Sequence, residues 1–169
     1  IAAFCLTEAG SGSDAASIKT NARKNSDGTW TLNGEKIWIT NGDTADFFTV
    51  FARTETEGGK MTAFIVERAF AGVTNGPKED KMGIRPSNTC ELILQDVVVP
   101  ESARVGREGE GFRIAMQTLD SARPFVGSVS VGIAQAALDC AVKYAKERRQ
   151  FGQPIASFQL VQGMLADMA

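Results

Sequence analysis

The residues best suited to chemistry lie close to the start of the chain. Phe4–Asp14 reads FCLTEAGSGSD, an apolar run followed by Thr7 and then two glycines, two serines and two carboxylates. Glycine has no Cβ, so a backbone rich in it can approach a ligand closely. Successive N–H groups in such a turn can converge on an anion, and serine or threonine hydroxyls add donors. Two readings fit: a loop that holds the polar part of a cofactor, or a solvated connector between strands. No Gly-Lys-Ser/Thr follows, so the loop is not a P-loop. No helical pattern opens there, so it is not a dinucleotide fingerprint either.

Other stretches carry chemistry of their own. Trp38 and Thr40 lie in the run WIT, where an indole could pack on a flat ring while a hydroxyl reaches the ring's edge. A plain core aromatic explains Trp38 equally well on its own. Asp120 and Arg123 stand three apart beside Pro124, the spacing of a surface ion pair on a helix. Arg123 could instead hold an anion where the proline bends the chain. Glu147–Gly152, ERRQFG, reads as a basic helix end suited to the helix dipole, followed less usually by an aromatic and a glycine.

Composition removes several classes of function. The 169 residues contain no histidine, which excludes histidine-based triads, bases and metal ligands within this chain. A net charge of −2 gives no electrostatic footprint for nucleic acid. No uninterrupted apolar run approaches the roughly 18 residues of a membrane span. Cys5, Cys90 and Cys140 are far apart, so free buried thiols in a reducing compartment are expected and a metal centre is not. The chain starts in what reads as a strand and stops in what reads as a helix. It is therefore expected to be part of a longer protein, with any targeting segment out of view.

The elements that must position these residues divide at about Gly106. Short strands are expected at Ile1–Leu6, Ile18–Lys24, Asp46–Arg53, Met61–Glu67 and Thr89–Val99, with a turn at Glu57-Gly58-Gly59. Thr29–Thr40 reads as a hairpin turning at Asn33-Gly34. From Gly109 the apolar spacing becomes helical. Pro124 is expected to break or kink that helix, a second helix to run to about Arg149, and Ser157 to cap a third. The predicted class is α+β: an antiparallel barrel or sandwich over 1–106, then the first helices of a bundle over 107–169.

In this order, TEAGSGSD, LNGEKIWITNG, the Asp-x-x-Arg-Pro stretch and ERRQFGQPIASFQ resemble the acyl-CoA dehydrogenase family across essentially the whole chain. The resemblance implies an FAD enzyme that oxidises an acyl-CoA thioester to the 2,3-enoyl-CoA. A carboxylate removes the α-proton, the β-hydride passes to flavin N5, and an electron-transfer flavoprotein takes the electrons. It implies that Phe4, Leu6 and Thr7 line the flavin and that Ser13 lies beside the pyrophosphate and CoA. Trp38 and Thr40 would flank the ring. Arg148, Phe151 and Gln159 would reach the FAD of a neighbouring subunit, usually in a tetramer, and Asp120 and Arg123 would contact acyl-CoA. It also implies a bacterial cytoplasmic or mitochondrial-matrix location rather than secretion.

The family loop commonly reads TEPGAGSD, so Ala9 and Ser11 depart from it and a slightly less rigid loop is expected. Gln150 stands where some members have threonine. A minority of members place the catalytic base immediately before the arginine of the kink. Here that residue is Ala122, so the base is expected after Ala169 and no catalytic residue within this stretch. The alternatives are a flavin oxidase or monooxygenase on the same scaffold, or a non-catalytic flavin- or CoA-binding module.

Overall fold

A computed structural model describes residues 1–54 and 59–169 and divides the chain into two compact units, Ile1–Gln117 and Thr118–Ala169. The first unit carries the strands. They are β1 (Ala2–Cys5), β2 (Asn21–Lys24), β3 (Trp30–Thr40), β4 (Phe47–Thr54), β5 (Met61–Glu67), β6 (Val73–Lys78), β7 (Thr89–Val99) and β8 (Arg104–Val105). They form one open sheet ordered β6-β7-β3-β2-β4-β5-β8, with β1 also beside β4. The class is α+β as expected, and the sheet does not close into a barrel. Most pairs are antiparallel, but β1 and β2 both run parallel to β4.

Those two parallel pairings set up the first loop. β1 lies against Phe47–Val50, and β2 against Arg53 and Thr54. The other edge of β4 is taken by β5 over Phe47–Arg53. Residues 6–20 therefore leave one edge of β4 and return to the same edge a few residues on. The ends of this excursion are anchored by burial. Leu6 and Ile18 sit in a cluster with Phe51, Met61, Ala63 and Ala115, each of the larger apolar side chains contributing about 1.5–3 kcal/mol on burial. A larger cluster, with Trp30, Leu32, Phe48, Val50, Phe64, Leu92 and Val97, fills the other side. Along β4, Phe48, Val50 and Ala52 belong to the larger cluster and Phe51 to the smaller, so the sheet is covered on both faces.

Three expectations from local sequence need correction. Thr29–Thr40 is not a hairpin: β3 runs straight through Asn33-Gly34. The pair instead makes an irregularity in the β3–β7 register. Asn33 Nδ2 donates to Asp96 Oδ1 at 3.0 Å, and Asn33 Oδ1 accepts from the Asp96 N–H at 2.8 Å. Gly34, at φ +151°, brings β3 against Thr20, whose Cα lies 2.7 Å from where a Cβ would stand. Long-range pairing and this close approach override the local turn signal.

Pro124 does not end a helix: α1 spans Gly111–Glu147 without interruption. The proline removes one N–H and crowds the carbonyl four residues back, yet the helical hydrogen-bonding resumes on both sides of it. Ser157 does not cap the last helix; it ends a 3₁₀ turn, and α2 (Gln159–Met168) starts after Phe158 with no side-chain cap. The expected turn at Glu57-Gly58-Gly59 falls largely outside the described residues, and β6 and β8 were not anticipated.

The second unit contains most of α1, the short strands β9 (Arg149–Gln150) and β10 (Gln153–Pro154), and α2. Phe125, Val126, Val129, Val131 and Ile133 of α1 are all exposed and lie on more than one face. No uninterrupted apolar run marks this helix, yet an 18-residue window reaches a mean hydropathy of 1.6, enough by length and composition to cross a membrane. A helix covered on all sides by other helices meets the same test.

Candidate functional site

The loop between Leu6 and Thr20 is folded on itself. Glu8 and Ser11 exchange backbone bonds, Glu8 N–H to Ser11 O at 2.9 Å and Ser11 N–H to Glu8 O at 3.0 Å. Ser11 is buried and its hydroxyl donates to Asp14 O at 2.7 Å, while the Ser17 hydroxyl donates to the Asp14 carboxylate. The serine that departs from the family loop thus adds a bond of its own. Ser13, at the outer part of the turn, is exposed.

Two positions in β3 hold this loop from across the sheet. The Ile37 N–H donates to Thr7 O at 2.9 Å. The wholly buried Lys36 ammonium donates to Leu6 O at 3.2 Å and to Glu8 Oε1 at 2.8 Å. The Glu8 carboxylate also accepts the N–H groups of Lys19 at 2.6 Å and Thr20 at 3.0 Å. Burial alone would raise its pKa, but the bonds from Lys36, Thr20 and Lys19 outweigh that and hold it below the ordinary carboxylate range. Burial pushes the Lys36 ammonium down, against the pull of Glu8. Glu8 is saturated with donors and is no candidate base. Burial also pushes the Cys5 thiol up to about 12, with Lys36 opposing, so Cys5 is a structural thiol rather than a nucleophile.

Just past this grip β3 slips register between Lys36 and Ile39. Trp38 sits there at φ +56°, uncommon for a bulky residue, and its side chain is 63% exposed. Thr40, two residues on, is exposed, whereas Ile37 and Ile39 are buried. The plain core reading of Trp38 is therefore wrong. Leu6 is buried, Thr7 half-buried, and Phe4 packs its ring 5.0 Å from Phe51. The structure thus brings Thr7 beside the Trp38 segment through the Ile37 bond. Phe4 and Leu6 lie mainly in the core on the approach to Thr7.

The remaining predicted residues belong to the second unit. Asp120 and Arg123 form an ion pair at 2.8 Å with both side chains largely exposed, as the helical spacing alone suggests. Arg148 closes α1, its N–H donating to Tyr144 O at 2.8 Å, and its carbonyl accepts the Ile155 N–H at 2.8 Å. β9 and β10 pair as a hairpin whose two central residues are Phe151 at φ +51° and Gly152 at φ +78°. Positive φ at both positions is the primed-turn geometry, which explains the glycine. It leaves Phe151 91% exposed, touching Phe158 edge-on with ring centres 6.1 Å apart. Gln159 opens α2 and is exposed. Cys140 is exposed too, so only Cys5 and Cys90 meet the expectation of buried thiols.

Glu8 and Lys36 were missed as site residues. A signal existed: counting by two along β3, Lys36 falls on the face of Trp30 and Leu32, where a lysine has to find a buried partner.

The acyl-CoA dehydrogenase middle-domain model matches residues 3–97, and the acyl-CoA dehydrogenase C-terminal-domain model matches residues 109–169. A short-chain-specific acyl-CoA dehydrogenase of Megasphaera elsdenii is 53% identical over 99% of this chain, which spans only 44% of that protein. The solved butyryl-CoA dehydrogenase from Megasphaera elsdenii superposes with a TM-score of 0.92 at 53% identity, over 99% of this chain and 44% of its own. An acyl-CoA dehydrogenase from Bacillus anthracis, solved in complex with FAD, gives 0.87 at 48% identity, over 98% of this chain and 28% of its own. With both family models matched in sequence order, and the loop and β3 segment placed side by side, the chain belongs to the acyl-CoA dehydrogenase family.

Proposed function

We propose that this chain is the flavin- and acyl-CoA-binding part, 1–106, and the beginning of the C-terminal helical domain, 107–169, of an FAD-dependent dehydrogenase. Its substrate is a short-chain acyl-CoA thioester, oxidised to the 2,3-enoyl-CoA. The observation that carries this reading is the bond from Ile37 N–H to Thr7 O, which sets the hydroxyl-bearing loop beside the outward-turned indole of Trp38. Two threonine hydroxyls and one exposed indole suit a flat heteroaromatic ring with polar edges.

The chemistry that bound FAD would supply is that of an acceptor for hydride from the substrate's β-carbon, the α-proton going to a carboxylate. The residues of this chain bind and orient. The Thr7 and Thr40 hydroxyls would meet the ring edge, Trp38 would cover the ring, and Ser13 would serve the pyrophosphate and CoA. Phe4 and Leu6 back the loop as an apolar wall. Arg148, Phe151 and Gln159 would extend to the FAD of a neighbouring subunit, which calls for an oligomer, a tetramer in this proposal. Asp120 and Arg123 contact acyl-CoA. Ala122 has no proton acceptor, so the base belongs to the part of the relatives' length that this chain does not span. The electron acceptor is an electron-transfer flavoprotein. The location is a bacterial cytoplasm or mitochondrial matrix, where the free thiols of this chain stay reduced.

The test is anaerobic titration of the full-length protein with butyryl-, octanoyl- and palmitoyl-CoA, followed by visible spectroscopy. The purified protein is expected to carry a flavin spectrum that bleaches fastest with butyryl-CoA. A flavin that no acyl-CoA bleaches rules out the dehydrogenase. Rapid peroxide formation on admitting air would favour the oxidase.

A further inference from the structure

A buried ion pair calls for an explanation, because well-packed apolar residues of similar volume often serve stability as well or better. Glu8 and Lys36 are such a pair, 8% and 0% exposed. Their bonds converge on one stretch of backbone. Lys36 Nζ holds Leu6 O at 3.2 Å and Glu8 Oε1 at 2.8 Å, and between them the Ile37 N–H holds Thr7 O at 2.9 Å. Three consecutive residues of the loop are thus tied to two consecutive residues of β3. The far side of Glu8 is tied to the Lys19 and Thr20 N–H groups, so the same carboxylate also pins the returning end of the loop. Immediately beyond Ile37 the strand slips register and turns Trp38 outward at positive φ. Such a conformation persists only where its surroundings over-determine it.

We propose that Glu8 and Lys36 are a positioning pair that fixes the spacing between Thr7 and the Trp38–Thr40 segment, and so sets the environment of the flavin ring. The inference rests on the flavin reading above. Both side chains are buried and bonded within the protein, so the role proposed is positioning. An apolar pair could fill the same volume but could not grip the Leu6 carbonyl and the Lys19 and Thr20 N–H groups at once.

Three variants of the full-length protein test it: Lys36→Met, Glu8→Gln with Lys36→Met, and Glu8→Asp. Lys36→Met leaves a buried carboxylate without its cation and lowers Tm strongly. The double variant removes both charges and recovers most of the Tm. In it, the flavin absorption maximum and midpoint potential are expected to stay displaced from wild type. Its kcat on butyryl-CoA falls roughly 10- to 100-fold with KM little changed, the range for a reacting geometry off by about 1 Å. Glu8→Asp keeps the charge and withdraws the carboxylate by one methylene, so it shows the same displacement in a protein that keeps its ion pair.

A double variant with recovered Tm and wild-type spectrum, potential and kcat overturns the proposal. If the double variant does not fold, a wild-type spectrum and kcat in Glu8→Asp overturn it. Absence of flavin from the wild type would instead defeat the reading beneath. The grip is then read from hydrogen exchange at the Ile37 amide, which is faster in Glu8→Asp if the pair positions Thr7 and unchanged if it does not.

Discussion

Glu101 shows how a single side chain can report on this fold without taking part in its chemistry. Its carboxylate accepts the Trp30 Nε1–H at 2.6 Å and the Arg104 guanidinium at 2.7 and 2.8 Å, with Lys24 at 3.3 Å. The indole bond first, then Arg104, brings its pKa down from 4.5 to about 2. A carboxyl whose folded pKa is depressed adds stability above its unfolded pKa and loses it as pH falls through the folded one. Glu101→Gln keeps an acceptor for the indole and removes the charge. Wild type is expected to melt above this variant at neutral pH, with the gap closing between 4.5 and about 2. The gap is small, because the Glu101 side chain is 41% exposed and water screens the pair. Melting curves across that range decide it, and a gap that widens as pH falls contradicts the assignment.

Strands compete for partners, and that competition explains both what could be read from the sequence and what could not. β4, β5 and β7 were legible because alternation and β-branched residues mark them and nothing local contradicts the pattern. Asn33-Gly34 was misleading because it satisfies a two-residue turn rule. The strand around it has better offers: β2 on one side, β7 on the other, and Thr20 pressed against the glycine. Pro124 does not break its helix either: that local signal sits inside one longer element. At the candidate site, the alternation along β3 marks Lys36 as needing a buried partner, but that the partner is Glu8 could not be read, since the two stand 28 residues apart.

Gly34→Ala tests this account of β3. An added Cβ would stand 2.5 Å from Thr20 Oγ1 and 2.7 Å from Thr20 Cα, at a φ that suits glycine. A loss of roughly 1–3 kcal/mol is expected on denaturant unfolding. Adding Thr20→Ala removes the hydroxyl clash but not the backbone one, so recovery is expected to be partial. Full recovery in the double variant would mean that the backbone approach is not the reason for glycine.

At the scale of the whole chain, burial is distributed unequally. Both core clusters lie within Ile1–Gln117, including Ala115 from the first turns of α1. Among the described residues of Thr118–Ala169, Ala145 is the one buried hydrophobic side chain, at 3%. Helices in proteins draw most of their stability from packing an apolar face rather than from propensity. α1 instead carries Phe125, Val129 and Ile133 exposed, a surface that bundle packing in a longer protein is suited to cover. The two pieces are therefore expected to behave differently when made separately. Residues 1–117 melt in one cooperative transition by circular dichroism, because their two clusters already close around the sheet. Residues 118–169 lose ellipticity gradually, without a sigmoid, and remain helical only in part. A sharp transition in the second piece would show that its stability does not wait on partners outside it, and the surface left bare along α1 would need another explanation.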